Sequence, residues 1–358
     1  MIQITNQTEG RQTLIKVAII GDRFMRASVF EAALRKRISA DIEVSSIETD
    51  WPDTPFYGRN GPAGPAISEY QGEEARVIEI VADAQVAITH LAPFSRKVVE
   101  SCKQLRLLGL SRGSSVNVDL DAARERNIVV TNVPGRNASA VAEFTIAQIL
   151  SLTRKLSEGN ASLSAGHWQG ELYRSDRTGE ELSQLAVGII GYGAIGQRVV
   201  RLLKPFGCRI LVYDKYAELN LSDLVDGVEK VDLEFLLANS DVISLHARAT
   251  PETEGMLGAR EFSLMRHGAY LINNARASMV VASSLRAALK SGQLAGAALD
   301  TFDPEPPLAN DEILAMPNVT VTPHIAGASR FVTTFAAERL AEEVARFLQD
   351  GSVKTRVA

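Results

Sequence analysis

The residues best able to do chemistry fall in two groups. The first is Gly191-Tyr192-Gly193-Ala194-Ile195-Gly196, which follows the apolar run Leu185–Ile190, with Asp214 closing the next apolar run, Arg209–Tyr213. A glycine at the first position permits a tight strand-to-helix turn, the second lets backbone approach a pyrophosphate, and the third lets the helix pack on its strand. The helix N-terminus then faces the phosphates, and an acid at the distance of Asp214 accepts both hydroxyls of the adenosine ribose. A carboxylate there repels a 2′-phosphate and so favours NAD over NADP, a preference that the neighbouring Lys215 can soften. The second group is Arg276, Glu305 and His324, in Ile272-Asn273-Asn274-Ala275-Arg276, Asp300-Thr301-Phe302-Asp303-Pro304-Glu305 and Thr322-Pro323-His324-Ile325-Ala326-Gly327. Each follows an apolar run. If those runs are parallel strands, all three side chains lie at the carboxyl ends, where open α/β sheets bind ligands.

The elements that must position them have a regular beat. Short apolar runs at Leu185–Ile190, Arg209–Tyr213, Asp241–His246, Ala269–Asn273, Leu294–Leu299 and Val319–Thr322 alternate with helical patterns such as Ala194–Phe206, Asp232–Ala238, Arg260–Met265 and Ser283–Ser291. This predicts a doubly wound parallel sheet. The first part repeats the beat, with strands at Leu14–Ile20, Ile42–Ile47, Val86–Thr89, Leu105–Leu108 and Ile128–Thr131, but has no glycine fingerprint. Its Pro- and Gly-rich stretch Trp51–Gln71 is too long for an ordinary connection, so it is either a mobile flap or a packed loop. A long helix through Val141, Phe144, Ile149 and Leu152 follows Val133-Pro134-Gly135, and a final helix spans about Ser329 to Leu348. That last helix is expected to return to the first domain. The domains are then 1–133 plus 328–358 for substrate and 134–327 for NAD, each a Rossmann-like or flavodoxin-like α/β unit with a parallel sheet, and with a cleft between them.

The bulk properties agree. The chain has 358 residues, 46% hydrophobic and 23% charged, with net charge −5, which is ordinary for a globular protein and offers no basic stripe for nucleic acid. No apolar run approaches membrane-spanning length, and no signal-like start is present. Cys102 and Cys208 fit no metal spacing, no His/Cys/acid cluster argues for a metal, and both cysteines read as small core residues of a cytoplasmic protein.

The motifs GYGAIGQ, LINNARASMV, ALDTFDPEPP and TPHIAGAS, in that order, resemble the D-isomer-specific 2-hydroxyacid dehydrogenase family. The likeness continues upstream through Val141-Ala142-Glu143, Pro134-Gly135-Arg136-Asn137 and Asn117-Val118-Asp119-Leu120, while the first 84 residues match loosely. The resemblance implies an NAD-dependent oxidoreductase that interconverts a 2-keto acid and its D-2-hydroxy acid. It implies that Arg276 holds the keto and carboxylate oxygens, that His324 exchanges the proton, and that Glu305 orients His324. Cofactor contacts are implied for Gly191, Gly193, Ala194, Ile195, Gly196, Asp214, Ala275 and, at the nicotinamide end, Asp300. The segment Arg112, Gly113 and Ser114 aligns with the family's carboxylate-binding loop. A homodimer is implied, with the helix near Val141–Leu156 in the contact. An NAD-sensing co-repressor and an NADPH-dependent glyoxylate or hydroxypyruvate reductase are the rival readings.

The chain also departs from the family. Ala277 stands where glycine usually follows the arginine, and Thr301 where valine follows the aspartate. Ser111-Arg112-Gly113-Ser114-Ser115 replaces small apolar and glycine residues. Arg112 and Arg136 are candidates for neutralising a second anionic group on the substrate, phosphorylated or sugar-derived. His246 and His90 end strands and either line a crevice or pack. The chain stops soon after the returning helix, so a C-terminal regulatory domain is not expected.

Overall fold

The computed structural model describes residues 14–51 and 61–358. In chain order the elements are β1 (Ile15–Gly21), α1 (Ala27–Arg37), β2 (Ile42–Glu48), α2 (Glu74–Val81), β3 (Val86–Thr89), α3 (Arg96–Ser101), β4 (Leu107–Leu110), α4 (Leu120–Glu125), β5 (Val129–Asn132), α5 (Ala138–Thr153), α6 (Leu156–Ser164), β6 (Ala186–Ile190), α7 (Gly196–Leu203), β7 (Arg209–Tyr213), α8 (Leu221–Val225), β8 (Glu229–Lys230), α9 (Leu233–Asn239), β9 (Val242–Leu245), α10 (Ala259–Leu264), β10 (Ala269–Asn273), α11 (Ala282–Ser291), β11 (Leu294–Leu299), β12 (Val319–Val321) and α12 (Arg330–Asp350). The chain divides into two compact units, residues 1–136 with 329–358 and residues 137–328.

The first unit has a five-stranded parallel sheet of order β2-β1-β3-β4-β5. β3 and β4 are buried along their whole length, as strands covered on both faces must be. One face packs under α1 and α12, with Val17, Ile19, Phe30, Leu34, Leu340 and Val344 in contact; the other packs under α2, α3 and α4. α12 buries Val332, Ala336, Leu340, Val344 and Phe347, a helical stripe. Ser329 caps its start through the Val332 N–H, and Gly351 ends it in the left-handed conformation.

The second unit is contiguous in sequence and has a seven-stranded parallel sheet of order β12-β11-β10-β9-β6-β7-β8. α7 buries Gly196, Val199, Val200 and Leu203, the spacing that turns one face to β6. Together with α5 it covers one side of the sheet, and α9, α10 and α11 cover the other.

One detail differs from the sequence reading, and one open alternative is decided for the part that is described. The helix expected to run to Leu156 stops at Thr153, because Lys155 takes a left-handed φ of 55° and starts α6 on a new axis. Of the stretch 51–71, residues 52–60 lie outside the described residues. Its remainder is packed: Ile67 and Tyr70 are buried, Ser68 N–H donates to Val116 O at 2.7 Å, and Gln71 N–H to Leu91 O at 2.9 Å.

Candidate active site

The fingerprint turn has the geometry that a dinucleotide needs. Gly191 has φ 101°, and a Cβ there would collide with the Ala247 backbone at the end of β9. A Cβ at Gly196 would meet Gly191 O, so the helix sits on its strand only as glycine. Gly193 faces outward, exposed, with nothing within 4 Å of where a Cβ would be, which leaves its backbone open to a ligand. Ala194 is exposed beside it, and Ile195 precedes the first residue of α7. Tyr192 between the glycines is buried, its hydroxyl donating to Asp223 and accepting from Asn220 Nδ2 at 3.1 Å, which anchors the turn to α8.

Asp214, at the end of β7, accepts from Tyr192 N at 2.7 Å through one oxygen and from Tyr216 N and Ala217 N, each at 2.8 Å, through the other. Burial pushes its pKa up, but these three backbone N–H groups outweigh it and hold the carboxyl below its ordinary value. It is therefore a fixed anion with lone pairs left for ribose hydroxyls. Lys215 turns to Glu252, Nζ to Oε2 at 2.9 Å, so its charge is neutralised beside the acid. The residues fit an adenine dinucleotide without a 2′-phosphate.

On the sheet's other half, β10, β11 and β12 end at the second group. His324 Nδ1 lies 2.8 Å from Glu305 Oε2, and Glu305 Oε1 accepts from Phe302 N at 2.9 Å, so both carboxylate oxygens are engaged and the ring is oriented. His324 has φ 54°, uncommon outside glycine. The conformation is held by Asp300, which is buried and accepts from Thr322 Oγ1 at 2.6 Å, Ile325 N at 2.9 Å and Ala326 N at 2.8 Å. The acid expected at the nicotinamide thus braces the turn that carries the histidine, a role with no signal in the sequence. Arg276 is exposed on an extended backbone, its O held by Asn273 Nδ2 at 3.0 Å and its Nη1 donating to Ala275 O at 2.8 Å. Ala275 N donates to Asn273 Oδ1 at 3.1 Å. Ala277 has no positive φ, so its methyl costs the backbone nothing.

In the first unit the Gly113 and Ser114 N–H groups donate to no acceptor among the described residues, and Gly113 O accepts from Asn132 Nδ2 at 2.7 Å. Arg112, the other residue expected on this loop, pairs within the unit: Nη1 donates to Glu69 O at 3.1 Å and Nη2 pairs with the Glu69 carboxylate. Its charge is neutralised inside the unit, and it ties the packed part of the 51–71 stretch to the end of β4. Among the described residues no His, Cys, Asp and Glu cluster could hold a metal, and no helix is long and apolar enough to cross a membrane.

Two strand-end histidines are buried. Burial lowers His246 to about 3, with Nε2 2.9 Å from Ser244 Oγ. Burial likewise lowers His90 to about 4 in spite of its bond to Asp22. Each is neutral when folded and takes up a proton on unfolding below about pH 6.5. Stability therefore falls as pH drops from about 6.5 toward 4, by about 2 kcal/mol per histidine at about pH 5. The urea midpoint should fall between about pH 7.5 and pH 5; a flat midpoint would contradict neutral burial.

Residues 146–326 match the model described as the D-isomer specific 2-hydroxyacid dehydrogenase, NAD binding domain. A putative 2-hydroxyacid dehydrogenase, YoaD of Bacillus subtilis, is 38% identical over 73% of this chain and 75% of its own length. D-3-phosphoglycerate dehydrogenase of Archaeoglobus fulgidus is 34% identical over 73% of this chain, and the match spans 49% of that longer protein. The solved structure of a D-2-hydroxyisocaproate dehydrogenase superposes with a TM-score of 0.80 at 26% identity, covering 96% of this chain and 99% of that one.

Proposed function

Since the chain belongs to the D-isomer-specific 2-hydroxyacid dehydrogenase family, we propose that Arg276, Glu305 and His324 carry its reaction, the NAD-dependent interconversion of a 2-keto acid and its D-2-hydroxy acid. The observation that carries this is the His324–Glu305 pair, 2.8 Å apart at the ends of adjacent strands in the unit that holds the dinucleotide turn. Bound NADH supplies the hydride to the carbonyl carbon, and NAD accepts it in the reverse direction. Protonated His324 gives a proton to the carbonyl oxygen, so keto acid, hydride and proton together make the hydroxy acid. Glu305 holds Nδ1 and turns Nε2 away from itself. Arg276 forks the keto and carboxylate oxygens; in the first unit, the Gly113 and Ser114 N–H groups are donors for an anionic group of the substrate. Gly191, Gly193, Ala194, Ile195, Gly196, Asp214 and Ala275 hold the cofactor, with Asp300 at its nicotinamide end through the turn it braces. The first unit binds substrate and the second NAD.

The test follows NADH absorbance with a panel of 2-keto acids. Turnover to the D-hydroxy acid supports the reading. Tight NADH binding with no turnover of any acid supports a sensing protein, and preference for NADPH supports the glyoxylate or hydroxypyruvate reductase.

The enzyme is a cytoplasmic homodimer in this reading. What supports the dimer is an exposed apolar arm in the second unit: Leu156 and Leu163 on α6, then Trp168 and Tyr173, 84% and 95% exposed. Aromatic anchors of this kind are enriched at interfaces. Trp168→Glu with Tyr173→Glu should convert a dimer to a monomer in sedimentation; an unchanged species would remove the arm from the contact.

A further inference from the structure

Four polar side chains follow the carboxyl ends of strands in the first unit: Asp22 after β1, His90 after β3, Arg112 after β4 and Arg136 after β5. The order β2-β1-β3-β4-β5 reverses between β1 and β3, and such a switch point is where open α/β sheets take ligands. Asp22 accepts from Phe24 N at 2.8 Å and Met25 N at 2.7 Å, and its second oxygen lies 2.6 Å from His90 Nδ1. A carboxylate at that distance requires the proton on Nδ1. His90 Nε2 therefore carries the lone pair, and it accepts from Arg136 Nη2 at 2.9 Å. The chain of contacts fixes the guanidinium through a neutral imidazole instead of through a carboxylate.

Arg136 is left electrostatically incomplete. No acid forms an ion pair with it among the described residues, and its Nη1 is buried without an acceptor. Burial and the neighbouring charge of Arg112 push its pKa down to about 10. A buried charged donor without an acceptor is costly. The other cation of this edge, Arg112, is satisfied by Glu69, so the two arginines that look alike in sequence are not alike in the fold. Ser111 Oγ and Ser115 Oγ, on the loop after β4, are also buried without partners. Phe24 lies beside Arg136, 5.8 Å from ring centre to guanidinium carbon, and Trp51 packs edge-on against Phe24.

We propose that Arg136, positioned by the Asp22–His90 pair, is an anion subsite that reads a second anionic group, carboxylate or phosphate, on the substrate. The inference rests on the dehydrogenase reading for the identity of that substrate, and on the first unit alone for the subsite. Arg136 selects dianionic 2-keto acids over monoanionic ones, and Asp22 and His90 act on the substrate only through it.

The experiment has two arms. In the first, kcat/KM with NADH is compared for glyoxylate and hydroxypyruvate against 2-oxoglutarate and phosphohydroxypyruvate, in the wild type, Arg136→Gln and Arg136→Lys. The wild type should favour a dianion, and Arg136→Gln should lower the ratio of dianion to monoanion kcat/KM by about 10- to 100-fold, through KM. Arg136→Lys should recover part of the ratio. Whichever dianion leads tells carboxylate from phosphate. In the second arm, Trp51 fluorescence is followed in a Trp168→Phe background while succinate or inorganic phosphate is added. A saturable change that Arg136→Gln abolishes supports the subsite even if no keto acid turns over, an outcome that overturns the dehydrogenase reading only. A ratio unmoved by Arg136→Gln, or no anion-dependent signal together with no preference for dianions, overturns the subsite.

Discussion

Replacing His324 by alanine is expected to lower kcat for 2-keto acid reduction by about 10²–10⁴-fold, the range for removal of a general acid. Cofactor affinity should stay near its original value, because the dinucleotide turn Gly191–Gly196 and Asp214 are held by contacts that do not involve the histidine. The stability of the second unit should also survive. His324 sits at φ 54°, which a histidine adopts at some cost, and Asp300 supports the turn through Thr322, Ile325 and Ala326 rather than through the imidazole. Stopped-flow reduction by NADH separates the cases. Full-speed hydride transfer in His324→Ala would take the proton donor elsewhere, and a loss confined to KM would recast the histidine as a binding group.

Replacing Arg276 by alanine should lower kcat/KM by about 10²–10³-fold, the effect of losing a positioned donor to developing negative charge on oxygen. The side chain is exposed and makes one bond, to Ala275 O, while its backbone is held by Asn273. Its removal therefore leaves the fold and NADH binding intact. Arg276→Lys should fall in between, because the charge remains but the planar fork does not. Added guanidinium ion should restore part of the activity of Arg276→Ala and none of that of His324→Ala. Equal activity in all three proteins would dismiss the arginine from the site.

The parts that could be read from sequence and the parts that could not differ in physical kind. β10 and β11 are short apolar runs because both faces of a parallel sheet are covered, and their ends announced where Arg276 and Glu305 would emerge, as the end of the half-buried β12 did for His324. The glycine fingerprint was legible because Gly191 and Gly196 answer local steric demands and Gly193 keeps the backbone between them open. β8 was not, since Glu229–Lys230 is a two-residue exposed edge with no apolar pattern. Nor was α3, whose six residues bury only the adjacent Val98 and Val99 and so show no helical spacing. The pairing of Arg112 with Glu69 and the bracing of His324 by Asp300 depend on how distant loops meet. The Asp22–His90–Arg136 chain joins the ends of three strands, so it has no spacing for a pattern to find.

The discontinuous first unit has a consequence for how the protein is made. Its α12 covers Val17, Ile19 and Leu107, and residues Thr355 to Ala358 pair along β5, with Val357 N–H donating to Val130 O at 2.8 Å. A ribosome delivers that helix only after the whole contiguous second unit has emerged. The nascent chain therefore carries an uncovered apolar sheet face through the synthesis of residues 137–328, and the order of completion on the ribosome is second unit first, first unit last.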